Sequence, residues 1–221
     1  MQKHLICDFD STIVSIETLD ELAKFVMRRT GYDVDLAQKI EEITEMGMQG
    51  EISFAQSLSQ RLALMHLHRD DITAFKDHVM RAVTVSVLKN RDFLKKYHKN
   101  IHIISGGFYD FIIPVATELG IDAQNVHANS FAFDDRGEVI GYDVNSCLVK
   151  PSGKALQVKQ LQLGGKVIMV GDGWTDYEVK QSGAADHFVA FVEHMMRDKV
   201  MDVADHVAHG FDDVVKYYKS V

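Results

Sequence analysis

The sequence predicts an α/β fold: a doubly wound, mostly parallel sheet, with an inserted helical cap domain after its first strand and a small β-hairpin flap. Three observations carry this prediction. Short apolar runs rich in β-branched residues, at positions 5–7, 101–104 and 166–170, have the length and composition of buried parallel strands. Between the first and second of these lie four or five consecutive amphipathic stretches without a strand, a block that does not fit inside a sheet. Residues 126–144 alternate around Asp134-Asp135-Arg136-Gly137, the pattern of a hairpin with a four-residue loop.

Taken in order, the chain opens on a strand that ends at Asp8 and Asp10. Thr18 and Glu21 have capping-box spacing, Leu19, Leu22, Ala23, Val26 and Met27 follow helical periodicity, and Gly31 closes that helix. A second helix is expected over 35–46, with Leu36, Ile40 and Ile43 on one face. The third starts at Ser53, boxed with Gln56, and is striped by Phe54, Leu58, Leu62 and Met65. A fourth begins near Asp71, and a further helical run covers 87–97. These boundaries divide the chain into a core of residues 1–15 and 87–221 and a cap of residues 16–86. The strand at 101–104 leads through a Ser105-Gly106-Gly107 turn into a helix over 108–119, which Pro114 should kink. Ser152 caps a helix ending at Leu161, the strand at 166–170 runs into the loop 171–176, and strands at 188–192 and 203–207 precede a last helix from Phe211.

With 221 residues, 46% of them hydrophobic, the chain is long enough for one good core and a smaller appended one. A net charge of −8 argues against nucleic acid or an anionic membrane as partner. No apolar run approaches the ~20 residues that span a bilayer. Cys7 and Cys147 have neither CxxC spacing nor the look of a disulfide framework, and a cytoplasmic location is expected. The histidines, including His66 with His68 and His206 with His209, lack metal-site patterns and read as core or surface residues.

In an open α/β sheet, ligands bind beyond the carboxyl ends of the strands. Asp8 and Asp10 stand there, and two carboxylates so close call for a cation such as Mg²⁺. A calcium-binding EF-hand is excluded by Ile13 and Leu19 at positions requiring Gly and Glu. Further stations follow at Ser105, at Lys154, and at Asp172 with Asp176. The four pieces DFDST, SGG, the Lys of PSGKAL and GDGWTD, in that order over nearly the whole chain, resemble the haloacid dehalogenase superfamily of phosphotransferases. The resemblance implies that Asp8 is a nucleophile forming an aspartyl-phosphate and that Asp10 is the acid and base. It also implies Mg²⁺ held by Asp8, the Asp10 carbonyl and Asp172, with Asp176 orienting that shell, and a phosphoryl cradle of Lys154, Ser105 and neighbouring N–H groups.

Within that superfamily the chain is most similar to the phosphoserine phosphatases, through Glu17 before LDELA, through Met48, Gly50, Phe54, Gln56, Ser57, Leu58 and Arg61, and through SGGF. The implied substrate is a small phosphomonoester, O-phosphoserine. Glu17 then holds its ammonium and Arg61 its carboxylate, Met48 and Phe54 close over it, and Ser105, Gly106, Lys154 and Thr175 complete the pocket. The alternatives are a phosphotransferase that passes the phosphoryl group to an alcohol such as homoserine, and a phosphatase for another small monoester. Trp174 is bulkier than the residue usual at that position of the motif, and Thr175 replaces the Asn of many relatives.

Overall fold

The computed structural model describes residues 2–31, 34–48 and 51–221; the side chains of Thr30, Val34 and Met48 also lie outside the described set. The chain runs β1 (Lys3–Cys7), then helices α1 (Thr18–Thr30), α2 (Val34–Met48), α3 (Phe54–Met65), α4 (Arg69–Arg81), α5 (Val85–Lys89) and α6 (Arg91–Lys96). It continues with β2 (Ile101–Phe108), α7 (Tyr109–Leu119), β3 (Val126–Asn129), β4 (Phe131–Phe133), β5 (Val139–Tyr142), α8 (Gly153–Leu161) and β6 (Lys166–Gly171). It closes with α9 (Trp174–Gln181), β7 (His187–Phe191), α10 (Asp198–Met201), β8 (His206–Ala208) and α11 (Phe211–Ser220). Parallel strands pair in the order β3-β2-β1-β6-β7-β8, and β4 and β5 form a separate antiparallel hairpin. Strand order reverses between β1 and β6, the switch point beside which α/β sheets bind ligands.

Alternate residues of each strand feed two apolar layers. Leu5, Cys7, Ile103, Val170 and Phe191 face α7, α11 and the helices that follow β1, whereas Ile6, Ile104, Met169 and Ala190 face α8, α9 and α10. The α1–α4 helices join the first layer through rings: Phe75 meets Phe111 of α7 edge-on at 5.4 Å and Phe25 at 5.4 Å. The two chain crossings that lead into and out of these helices lie side by side. Val14 bridges Val83, Ser15 N donates to Ala82 O (2.8 Å), and Thr84 N donates to Ile13 O (2.9 Å).

Several local expectations give way to longer-range contacts. Thr18 and Glu21 do not form a capping box, because the Thr18 N–H is taken by Asp10 Oδ1 at 3.1 Å and Glu17 is the cap position. Ser105-Gly106-Gly107 is a bulged part of β2 rather than a turn after it. Val126–Asn129 is a strand of the main sheet, so the hairpin is confined to β4–β5. The helix expected at 87–97 is two, divided at Asn90, and Ser152 is left-handed with no capping bond. The Ser53–Gln56 capping box is present, and α7 runs through Pro114. Among the described residues no helix is long and apolar enough to cross a membrane.

Histidines run across β1, β2 and β3 on the α8 side. His4 Nδ1 lies 3.3 Å from His102 Nε2, and the His127 ring stacks 6.4 Å from that of His102. The 3.3 Å contact needs one donor and one acceptor and fails when both rings are protonated. The nearby Lys3 and Lys166 reach away, to the carbonyls of Tyr218 and Val221. Burial, reinforced by His4 and His127, pushes His102 down to about 4. An unfolded histidine titrates near 6.5, so in between the unfolded chain binds more protons. Stability is therefore complete above about pH 6.5 and falls as the pH drops toward 4. Urea titrations should show a loss on the order of 1–2 kcal/mol between about pH 7.5 and pH 5, flattened in His102→Gln. An equal slope in both proteins would assign the loss to other groups.

Candidate active site

The site begins where β1 ends. Asp8 N–H extends the β1–β6 ladder to Val170 O (2.9 Å), and its carboxylate accepts from Phe9 N (2.7 Å). The chain then winds into one wide turn, Phe9–Ile13, instead of continuing extended, with Val14 N–H returning to Phe9 O at 3.0 Å. Inside it Ser11 takes a left-handed conformation, φ 51°, uncommon for a residue with a side chain. That reversal lets Ser11 Oγ donate to Glu17 Oε1 (2.7 Å) while Asp10 Oδ1 receives the first N–H of α1. The two acidic side chains are thus oriented by the same turn.

From β2 comes Ser105, which is buried and whose Oγ accepts from Gly107 N at 2.9 Å. Gly106 lies under the Phe54 ring so closely that a Cβ would stand 2.7 Å from its Cζ. Asp10 Oδ2 lies 3.6 Å from the corresponding point on Gly107. From the other side Lys154, in the first turn of α8, places Nζ 2.7 Å from both Asp8 Oδ2 and Asp176 Oδ1. Asp176 Oδ2 accepts from Gly173 N (3.0 Å), and its approach requires Gly171, where a Cβ would come within 2.2 Å of Asp176 Cγ.

The electrostatics follow from this crowding. Carboxylate oxygens of Asp8, Asp172 and Asp176, all buried, lie within 4.8 Å of one another. Burial and the charges of Glu17 and Asp8 push Asp10 well above the ordinary carboxyl range, despite its bonds from Thr18. Burial, with Asp8, pushes Asp176 up to about 7 against the pull of Lys154 and the Gly173 N–H. Burial also disfavours the Lys154 ammonium, but Asp176 and Asp8 outweigh it and hold its pKa above the usual lysine value. Glu17 is raised by burial, partly offset by the Ser11 bond and Arg197 and reinforced by Asp8 and Asp20. Three carboxylates against Lys154 and Arg197 leave negative charge in excess, and the oxygen donors of Asp8, Asp172 and Asp176 fit a hard divalent cation.

Most of the residues singled out by sequence converge here: Asp8, Asp10, Glu17, Phe54, Ser105, Gly106, Lys154, Asp172 and Asp176. The Met48 side chain and Gly50 lie outside the described residues. Thr175 and Trp174 are exposed at the start of α9. Arg61 is buried and already engaged, its Nη1 donating to Asp20 Oδ1 (3.0 Å) and Thr44 Oγ1 (3.3 Å), while its Nε has no partner among the described residues. Two polar partners escaped the sequence reading. Asp20 was legible in principle, since it follows Glu17 by three residues on the same helix. Arg197 donates to the Asp172 carbonyl (3.0 Å) and to its carboxylate. It comes from the loop after β7, a strand end that carries no motif.

The chain belongs to the haloacid dehalogenase-like hydrolase family, which it matches over residues 2–179, and it is a phosphatase of that family. Within it, the chain is a member of the phosphoserine phosphatase family. It is 30% identical to the chloroplastic phosphoserine phosphatase of Arabidopsis thaliana, over 94% of this chain and 69% of that one. To the phosphoserine phosphatase of Homo sapiens it is 32% identical, over 89% of this chain and 84% of the other. The crystal structure of a phosphoserine phosphohydrolase-like protein from Francisella tularensis superposes with a TM-score of 0.85 at 30% identity, covering 98% and 99% of the two chains.

Gly171→Ala tests the acidic cluster. The added Cβ has no room beside Asp176, so that carboxylate must move and its bond to Lys154 is lost. Overpacking of this kind costs on the order of 1–3 kcal/mol of stability. Phosphatase activity should fall at least about a hundredfold, since small displacements of positioned groups cost that much. Activity within a factor of about two of the unmutated protein would show that Asp176 is not needed where it stands.

Proposed function

We propose that this phosphatase hydrolyses O-phosphoserine to serine and phosphate, and that its cation is Mg²⁺. The observation that carries the catalytic reading is Lys154 Nζ at 2.7 Å from both Asp8 and Asp176, beside a half-buried Asp10 whose carboxyl is pushed upward. Asp8 attacks phosphorus, the bond from phosphorus to the serine oxygen breaks, and an aspartyl-phosphate forms. Asp10, holding a proton, gives it to the departing serine oxygen. It then takes a proton from the water that attacks phosphorus and releases Asp8 and phosphate. Lys154, Ser105 and nearby backbone N–H groups hold the phosphoryl oxygens. Mg²⁺, bound by Asp8, the Asp10 carbonyl and Asp172, with Asp176 orienting that set, would neutralise charge on those oxygens.

For the serine end, Glu17 faces the ammonium and Arg61 the carboxylate. The support is that Asp20 and Thr44 hold one arm of the guanidinium while its buried Nε is unpartnered among the described residues, as a fork awaiting an anion would be. Residues 16–86 act as the cap: Phe54 closes on the substrate, Thr175 at the start of α9 completes the pocket from the core side, and the paired crossings at Val14 and Val83 serve as the hinge.

Asp8→Asn should abolish turnover with the fold intact, because an amide is not a nucleophile here, and EDTA should abolish it reversibly with Mg²⁺ restoring it. Normal turnover in either case refutes the mechanism. Arg61→Lys tests the substrate. It keeps a cation beside Asp20 but loses the fork, so kcat/KM for phosphoserine should fall about tenfold or more, while a small aryl phosphate loses much less. Equal losses on both substrates would remove the carboxylate assignment.

A further inference from the structure

The strand pair β2–β3 carries an irregularity that the roles above leave unexplained. Ile104 pairs with His127 and Phe108 pairs with Asn129, so four steps along β2 correspond to two along β3. Ser105, Gly106 and Gly107 thus stand against Ala128 alone, a surplus of two residues, and a bulge of this kind strips backbone groups of their ladder partners. Gly106 O is recovered by a side chain: Asn129 Nδ2 donates to it at 2.8 Å. Asn129 is fully buried, and its own Oδ1 has no partner among the described residues. The opposite amide orientation would set two acceptors against each other, so the donor end must face Gly106.

The peptide between Gly106 and Gly107 is thereby held at both ends. Its C=O receives the Asn129 amide, and its N–H donates to Ser105 Oγ at 2.9 Å. A hydroxyl that accepts from the backbone keeps its own proton to give elsewhere. We infer that Asn129 is a positioning residue of the phosphoryl cradle: through the Gly106–Gly107 peptide it fixes the Ser105 hydroxyl with its proton directed to the bound anion. Linked bonds of this kind polarise one another, so the effect passes along the series. This rests on the reading of Ser105 as a donor to the phosphoryl group.

A double-mutant cycle separates the two. Ser105→Ala, Asn129→Ala and the double variant are compared for kcat/KM on phosphoserine and on an aryl phosphate, for inhibition by inorganic phosphate, and for melting temperature. Asn129→Ala should lower kcat/KM about tenfold on both substrates and weaken inhibition by phosphate. The double variant should be no worse than Ser105→Ala by more than about twofold, because the second loss acts through the first. If Ser105→Ala is fully active, the reading of Ser105 fails and this inference with it. If Ser105→Ala is impaired while Asn129→Ala only melts earlier, or if the two losses multiply, Asn129 merely repairs the bulge and the inference is overturned. Should the alanine variant not fold, Asn129→Ser keeps a small polar group in the space without reaching Gly106 O and carries the same comparison.

Discussion

The interaction on which the rest of the site depends is the Lys154 ammonium set 2.7 Å from both Asp8 and Asp176. These side chains belong to three separate segments around the neighbouring strands β1 and β6: Asp8 leaves β1, Lys154 comes from α8 before β6, and Asp176 lies in α9 after it. Drawing buried carboxylates together is unfavourable unless a cation joins them, because burial and mutual repulsion both oppose ionisation. The residual imbalance is visible in Asp10 and Asp176, both pushed upward. A site left with surplus negative charge is poised for a divalent cation and, through it, for an anionic substrate.

The second constraint is steric. Gly171 and Gly106 are not there for backbone freedom, since neither has a positive φ, but because a Cβ would collide with Asp176 in one case and with Phe54 in the other. Left-handed Ser11 is the converse: a side chain accepted in an uncommon conformation, where its hydroxyl orients Glu17 and the reversal brings Asp10 to the start of α1. The helix that opens the α1–α4 block is therefore capped by a carboxylate of the site itself.

The hairpin ties that block to the sheet at a second place. Val139 N donates to Leu67 O and Arg69 N to Gly137 O, both at 2.8 Å, and Tyr142 OH lies 3.0 Å from Ser59 Oγ. At its other end Phe131 stacks on Phe108, with ring centroids 3.6 Å apart, directly after the Ser105-Gly106-Gly107 bulge. The elements α3 and α4 are thus linked by direct contacts through β4 and β5 to the strand that supplies Ser105.

The sequence alone determined what is local. Apolar runs marked the strands, helical stripes marked α1 to α4, and DFDST, SGG, the Lys of PSGKAL and GDGWTD marked three strand ends and a helix start, because each signal lies within a few residues. Only the tertiary structure decided what depends on groups far apart in the chain. Thr18 and Glu21 have the spacing of a capping box, yet Asp10 took the N–H once Ser11 turned the chain back. Val126–Asn129 reads equally well as half of a hairpin, and became a sheet strand because β2 offered it a parallel partner. Arg197 on Asp172 and Asn129 on Gly106 join residues 25 and 23 positions apart, on separate elements, and leave no periodicity or spacing to read. A hydrogen bond or ion pair is fixed by distance in space, and separation along the chain does not encode it until the sheet and the helices upon it have formed.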